Sequence, residues 1–271
     1  RKSMNDIEAA FHQYFEIIDA DTPELLKTVF DLRYRILCVH NVIPGFDTNN
    51  YPNELESDQY DSHSIHFLLR HRPTNTFIGT TRLILPNPLD PMDKFPTELN
   101  THFYPGFVLD SSSRKHTTEV SRFAILSDFF KRKGERNMLS QSTEIGCKAQ
   151  ERRRFPHPML GLVVGLIQLC ARNNIYHLIS AMEPALNKLL GFYSLQMNPI
   201  GPPADYHGLR TPYYLYLPDL LDRMYQDHRS LWELITDHGK IWPMNLTGIH
   251  KKELKSTHIN NIYISGNCRH R

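Results

Sequence analysis

The chain predicts an α/β protein whose sheet has mixed strand directions. Two observations carry this. "SIHFLL" and "TFIGTTRLIL" are two alternating apolar runs separated by the turn sequence "RPTN", a hairpin signal. Further on, a strand, an apolar helix, a strand, a helix and a last strand follow in order, which together with the paired strands gives a sheet of mixed strand directions.

In chain order, "DTPELLKTVFDLRYRIL" predicts the first clear helix, with Asp21 as its cap, Pro23 in the first turn and Glu24 at capping-box spacing. Its apolar stripe is Leu26, Val29, Phe30, Ile36 and Leu37, with Arg33 in the middle, where a solvated charge does not belong. Residues 40–63 are loop-like and end in "ELESDQYD", which crowds Glu56, Asp58 and Asp61 together. Such a loop is either a solvated acidic surface or the source of the carboxylates that Arg33 requires. The returning hairpin strand carries Arg82 just before Leu83 and Leu85. A Pro-rich excursion over 86–106 follows.

"TTEVSRFAIL" (117–126) reads as a strand with Glu119, Ser121 and Arg122 inside it. Simple alternation puts Glu119, Ser121, Phe123 and Ile125 on one side. Residues 127–158 read as a basic insertion. The run "MLGLVVGLIQLCA", Met159 to Ala171, reads as a buried core helix, because thirteen residues are too few to span a bilayer. "YHLISAM", "EPALNKLLGF" and "NPIGPPADYHGLRTPYYLYLP" supply a strand, a helix and a last strand. The expected division is a catalytic-size domain over 1–217 and a helical, charged extension over 218–271.

The bulk numbers exclude more than they identify. At 271 residues with a formal net charge of +2, no nucleic-acid partner is indicated. The four cysteines, Cys38, Cys147, Cys170 and Cys268, are scattered, which favours a reducing, cytoplasmic setting over a zinc site or a disulfide scaffold. Residues 1–20 mix Asp6, Glu8, Glu16 and Asp19 with short apolar steps and do not read as a signal peptide. There is no phosphate loop, dinucleotide fingerprint, His-Glu-x-x-His or nucleophile elbow. What remains is a set of charges at apolar positions: Arg33, Asp58, Asp61, Arg82, Glu119 and Arg122. A single pair would be a structural ion pair; six in consecutive elements mark a candidate site.

Their order, Arg33, then "ESDQYD" (56–61), "GTTRL" (79–83) and "EVSRF" (119–123), resembles the signature of the acyl-homoserine-lactone (autoinducer) synthases. The resemblance continues through "SAMEPALNKLLGFYSLQMNPIGPP" and covers roughly residues 20–217. It implies an acetyltransferase-like (GNAT) fold, an αβα sandwich around a mostly antiparallel sheet. It also implies transfer of a fatty acyl group from an acyl-carrier-protein or coenzyme A thioester to the amine of an amino acid or an S-adenosylmethionine-like acceptor, with no tightly bound cofactor and no metal. By the same resemblance Glu119, Ser121 and Arg122 are catalytic, with Glu119 as base, and Arg33, Asp58, Asp61 and Arg82 bind substrate. Leu37 and Ile43 stand where the family has aromatics. The insertion and the C-terminal extension are similar to relatives found beside exosortase systems and to N-acyl amino acid synthases. Lys131, Arg132, Lys133, Arg152, Arg153 and Arg154 form the expected docking field for an acidic acyl carrier protein. The competing expectations are an acetyl-coenzyme A transferase acting on a small amine, and a non-catalytic acyl-binding module.

Overall fold

The computed structural model describes residues 6–130 and 158–242. An eight-stranded sheet forms the middle layer. Its strands are β1 (Phe15–Asp19), β2 (Ser64–His71), β3 (Thr76–Ile84), β4 (Thr117–Ile125), β5 (His177–Met182), β6 (Asn198–Pro199), β7 (Ala204–Asp205) and β8 (Leu209–Tyr216). The spatial order is β1-β2-β3-β4-β5-β8-β6, with β7 paired to β8. Only β4 and β5 run parallel. The predicted hairpin is β2–β3, closed by a turn in which Asn75 adopts a left-handed conformation. β1 went unrecognised in the sequence, because "FEIID" is too short and too acidic to show a period.

The helices are α1 (Asp6–Tyr14), α2 (Pro23–Arg33), the short α3 (Pro96–Asn100), α4 (Ser111–Arg114) and α5 (Ser127–Phe130), then α6 (Pro158–Arg172), α7 (Pro184–Gly191), α8 (Leu217–Asp227) and α9 (Arg229–Thr236). Thr22, rather than Asp21, caps α2: its Oγ accepts from the Leu25 amide, which places Pro23 at the first helical position, where a missing N–H costs nothing. After Arg33 the helix widens into a π-helical turn over Tyr34–His40, carrying Leu37 over the sheet.

Helices cover both faces, as an αβα arrangement requires. α6 is apolar all round because it is enclosed. Together with α1, α8 and α9 it packs on Phe15, Phe67, Leu69, Leu83, Val120, Ile125 and Leu178. α2 packs on the opposite face against Leu68, Ala124 and Leu126. Leu220, Leu221 and Met224 of α8, Trp232 and Ile235 of α9, and Trp242 belong to the α6 core. The main core therefore continues past Tyr216. Among the described residues no helix is long and apolar enough to cross a membrane.

Gly161 and Gly165 set how closely α6 approaches the sheet. A Cβ on Gly165 would stand 2.5 Å from the Phe67 ring, and one on Gly161 2.5 Å from Leu69 Cδ1. Both partners are fully buried and have no room to retreat. Gly165→Val is expected to lower unfolding stability by about 1–3 kcal/mol through overpacking, read as a drop in the denaturant midpoint at unchanged slope.

Candidate active site

β4 departs from a regular strand at Arg122. The pairing with β3 shifts there: Thr80 faces Ala124 but Arg82 faces Ser121, so Thr81 stands opposite two residues of β4. Arg122 sits in the left-handed region, φ +52°, an uncommon place for a side-chain-bearing residue. The extra residue reverses the side-chain alternation. Phe123 and Ile125 join Val120 on the α6 side, whereas Glu119 and Ser121 face the other way with Arg82. This corrects the expectation that Glu119, Ser121, Phe123 and Ile125 share a face.

On the face away from α6, three arginines and three carboxylates close into one alternating ring. Arg33 Nε donates to Glu56, and its two terminal nitrogens donate to Asp61 at 2.7 and 3.2 Å. Arg82 Nη1 donates to Asp61 at 3.0 Å and to Asp58 at 2.6 Å. Arg122 Nη2 donates to Asp58 and to Glu56, both at 2.9 Å. Each arginine bridges two carboxylates and each carboxylate two arginines. α2, the 47–63 loop, β3 and β4 are thereby tied together. Asp58 and Asp61 also cap the turn Gln59–His63, Asp58 accepting from the Tyr60 amide and Asp61 from the Asp58 amide. The Arg122 guanidinium lies over the Phe46 ring, 4.6 Å from its centre.

The ring is dry. Arg33 and Glu56 are completely buried. Burial alone would lower the Arg33 pKa, but Glu56 and Asp61 reverse that and push it up. Burial likewise opposes ionisation of Glu56 and Asp61. Arg33 and Arg122 nevertheless draw Glu56 down to about 2, and Arg33 and Arg82 pull Asp61 well below the carboxylate range. His66, opposite Arg82 in the β2–β3 register, is buried beside the ring. Burial and the Arg33 charge hold it down to about 4. Asp61 lies 3.5 Å from its Nε2 but already shares its charge with two arginines.

Glu119 lies outside this ring. It is 2% exposed and, among the described residues, has no cation at ion-pair distance. Its Oε2 accepts from the amide of Thr97 in α3, 2.8 Å away. Burial pushes its pKa up to about 7, against the Thr97 hydrogen bond and the Arg82 charge, which both favour ionisation. The Pro-rich excursion delivers Thr97, and Arg114 clamps that excursion by donating to both oxygens of Glu98 at 2.7 and 2.6 Å. Ser121 Oγ accepts from Arg82 Nε at 2.9 Å, so its hydroxyl ties the ring to β4.

The parallel pairing of β4 and β5 ends at Glu119–Ile179, stitched once more where Ser180 Oγ donates to the Val120 carbonyl at 2.9 Å. Beyond that point a cleft of about 240 Å³ opens between the strands. Glu119, Ser121, Arg122 and Phe123 line one side and Ser180, Met182 and Glu183 the other. Leu37, Ile43, Phe46, Tyr206, His207 and Arg210 close it.

Of the sequence-predicted residues, Arg33, Asp58, Asp61, Arg82 and Arg122 converge in the ring, Ser121 touches it, and Glu119 stands apart. Lys131, Arg132, Lys133, Arg152, Arg153 and Arg154 lie outside the described residues. Glu56, visible in the acidic cluster but not singled out, is the ring's third carboxylate. Thr97 acts through its backbone, which no sequence signal marks. Among the described residues no group of side chains could hold a metal.

A carboxylate titrating near neutrality at the closed end of a cleft between splayed strands suits proton removal from an amine. Residues 32–140 match the family model for the acetyltransferase (GNAT) domain. Over those residues the chain resembles an acetyltransferase-type domain. Among solved structures it is similar to BjaI, a CoA-dependent acyl-homoserine lactone synthase solved with SAM and isopentyl-CoA. The identity is 17%, covering 85% of this chain and 90% of that one, with a TM-score of 0.49. It is also similar to TofI in a ternary complex with an inhibitor and MTA, at 18% identity over 75% of this chain and 91% of that one, TM-score 0.47. A third is FeeM, an N-acyl amino acid synthase from uncultured soil microbes, at 12% identity over 78% of this chain and 97% of that one, TM-score 0.44. No curated protein matches the chain.

Two outcomes follow from the ring. Arg33→Met strands two buried carboxylates and is expected to cost about 3–5 kcal/mol in denaturant unfolding, with Glu56→Gln restoring part of the loss in a double-mutant cycle. Acid should also destabilise the fold in two stages. Because His66 has a folded pKa of about 4, below its ordinary 6.5, the unfolded chain takes up a proton first, and stability falls as pH drops between those values. Glu56, at about 2 against 4.5, adds a second loss below pH 4.5. Melting temperature measured against pH should show both limbs, and His66→Phe should flatten the upper one.

Proposed function

We propose that this protein is an N-acyltransferase that moves a fatty acyl group from an acyl-carrier-protein or coenzyme A thioester to the amine of an amino acid or S-adenosylmethionine-like acceptor. The observation that carries this is Glu119: buried, uncommitted to any arginine of the ring, with a pKa of about 7, at the closed end of an open cleft. An ammonium cannot attack a carbonyl, so its proton must first be removed, and a base poised near the working pH does this best. The amine nitrogen then bonds to the thioester carbon as the carbon–sulfur bond breaks. Its second proton leaves with the thiol, and the first passes from Glu119 to solvent. The protein otherwise acts by alignment, holding the two reactants across the split between β4 and β5.

The cleft wall supports a fatty chain over an acetyl group. Leu37, Ile43, Phe46, Val120, Phe123, Met182 and Leu186 supply much of its lining. An acidic carrier protein is the proposed donor vehicle because of the basic residues Lys131 to Lys133 and Arg152 to Arg154. Such a field acts mainly on encounter rate and fades with salt.

Glu119→Gln keeps the shape and can still accept the Thr97 hydrogen bond, but it cannot take a proton. With acyl-coenzyme A and acyl-carrier-protein donors of matched chain length, kcat/KM should fall roughly 10²–10⁴-fold. The wild-type rate should rise with pH through about 7, and that limb should be absent from the variant. Stability has the opposite sign. Glu119 holds its proton when folded to about pH 7 but releases it near 4.5 when unfolded, so its contribution is present below 4.5 and is lost as pH rises. Above pH 7 Glu119→Gln should therefore be the more stable protein, by about 3 kcal/mol. A variant that retained both the rate and the acidic limb would assign the base elsewhere.

A further inference from the structure

Two arginines line the cleft, and they are held very differently. Arg122 is committed to Glu56 and Asp58 in the ring and stacked on Phe46. Arg210, on β8, pairs with Glu183, the residue that opens α7. The Arg210 side chain is 15% exposed, whereas Glu183 is 60% exposed. A half-solvated carboxylate contributes little to an ion pair and is readily exchanged. Arg210 is thus a largely covered side chain on the cleft wall with a weakly held partner.

The strand register places it relative to the base. Glu119 pairs with Ile179, and Ile179 pairs with Tyr214. Arg210 is four residues from Tyr214 and Glu183 four from Ile179, so by strand alternation both fall on the face that Glu119 occupies. Met182 and Thr211, the last pair between β5 and β8, take the other parity, and Met182 packs into the α6 core. Arg210 and Glu119 are two strands apart and four residues apart along the strand, about 16 Å between backbones. Both side chains line the same cleft, so a small zwitterion lying along it can meet one at each end.

We propose that Arg210 binds a carboxylate of the acceptor, so that the acceptor is an α-amino acid, free or as part of a larger molecule, with its amine toward Glu119. Glu183 holds the guanidinium until the acceptor arrives and is then displaced. The planar fork of arginine suits a carboxylate bidentately. This rests on the acyl transfer proposed above for the identity of the reaction, but the binding site can be tested without turnover.

The probes are the twenty free amino acids and S-adenosylmethionine, each paired with its decarboxylated amine, titrated calorimetrically into the full chain. At least one carboxylate-bearing probe is expected to bind roughly ten to a hundredfold tighter than its amine. Arg210→Met should abolish that preference, Arg210→Lys should retain part of it, and Glu183→Gln should tighten the carboxylate-bearing probe by removing its competitor. A wild type that binds none of the probes, or shows no preference for the carboxylate, overturns the proposal, as does an Arg210→Met variant that keeps the preference. Acyl transfer from a thioester that favours the decarboxylated amines would refute the carboxylate site and leave the transferase reading standing. Arg210-dependent binding without transfer from any thioester would do the reverse.

Discussion

The site depends on the closed alternation of Arg33, Glu56, Arg122, Asp58, Arg82 and Asp61. Isolated buried ion pairs commonly return no more than their desolvation costs. Here every guanidinium has a carboxylate on both sides and every carboxylate a second arginine. Three positive and three negative charges cancel, so the largely buried cluster carries no net charge. Removing any one member exposes two partners at once. The ring also holds the 47–63 loop onto the sheet, since that loop contributes all three carboxylates, with Tyr51 and Tyr60 packed beside them.

The ring's neutrality bears on the titration of Glu119. Had one arginine remained unbalanced, its charge would have drawn the Glu119 pKa down, as Arg33 and Arg122 do for Glu56. With all three arginines taken, Glu119 feels mainly its own burial, and the Thr97 amide is too weak a counterweight to keep it fully ionised. The ring also holds the bulge. A left-handed Arg122 costs on the order of 1–3 kcal/mol, and its fixation by Glu56, Asp58 and the Phe46 ring supplies the restraint that keeps it there. That bulge turns β4 so that Ile125 serves the core while Glu119 and Ser121 face the ring and the cleft.

Much of this was legible because charges in apolar periods are anomalies that a sequence displays directly. Arg33 interrupts a helix stripe, Arg82 and Arg122 interrupt strands, and an acidic cluster nearby offers partners. The hairpin and the enclosed α6 followed from period and composition. What escaped has physical reasons. Thr97 contributes an amide, and every residue but proline has one. The parity reversal at Arg122 needs a positive φ, which glycine advertises and arginine does not. β1 is recruited by its neighbour β2 rather than by any pattern of its own. The helix cap fell to Thr22 instead of Asp21 because two adjacent residues both satisfy capping chemistry and Pro23 decides between them.

The same groups set opposing demands on pH. Between about 4.5 and 6.5 the proton linkage of His66 makes the fold more stable as pH rises, while that of Glu119 makes it less so. Above 6.5 only the Glu119 term of the two still changes, and it runs against the fold just as the carboxylate becomes able to take a proton. A base kept in an apolar setting is therefore ionised at a stability cost that the rest of the fold must cover. The ring is suited to covering it, because Glu56 and Asp61 stay charged through the whole of that range and do not titrate as Glu119 does. Structural and chemical carboxylates are thus separated within one cluster: those surrounded by arginine hold loop and strand in place, and the one left without arginine can exchange its proton.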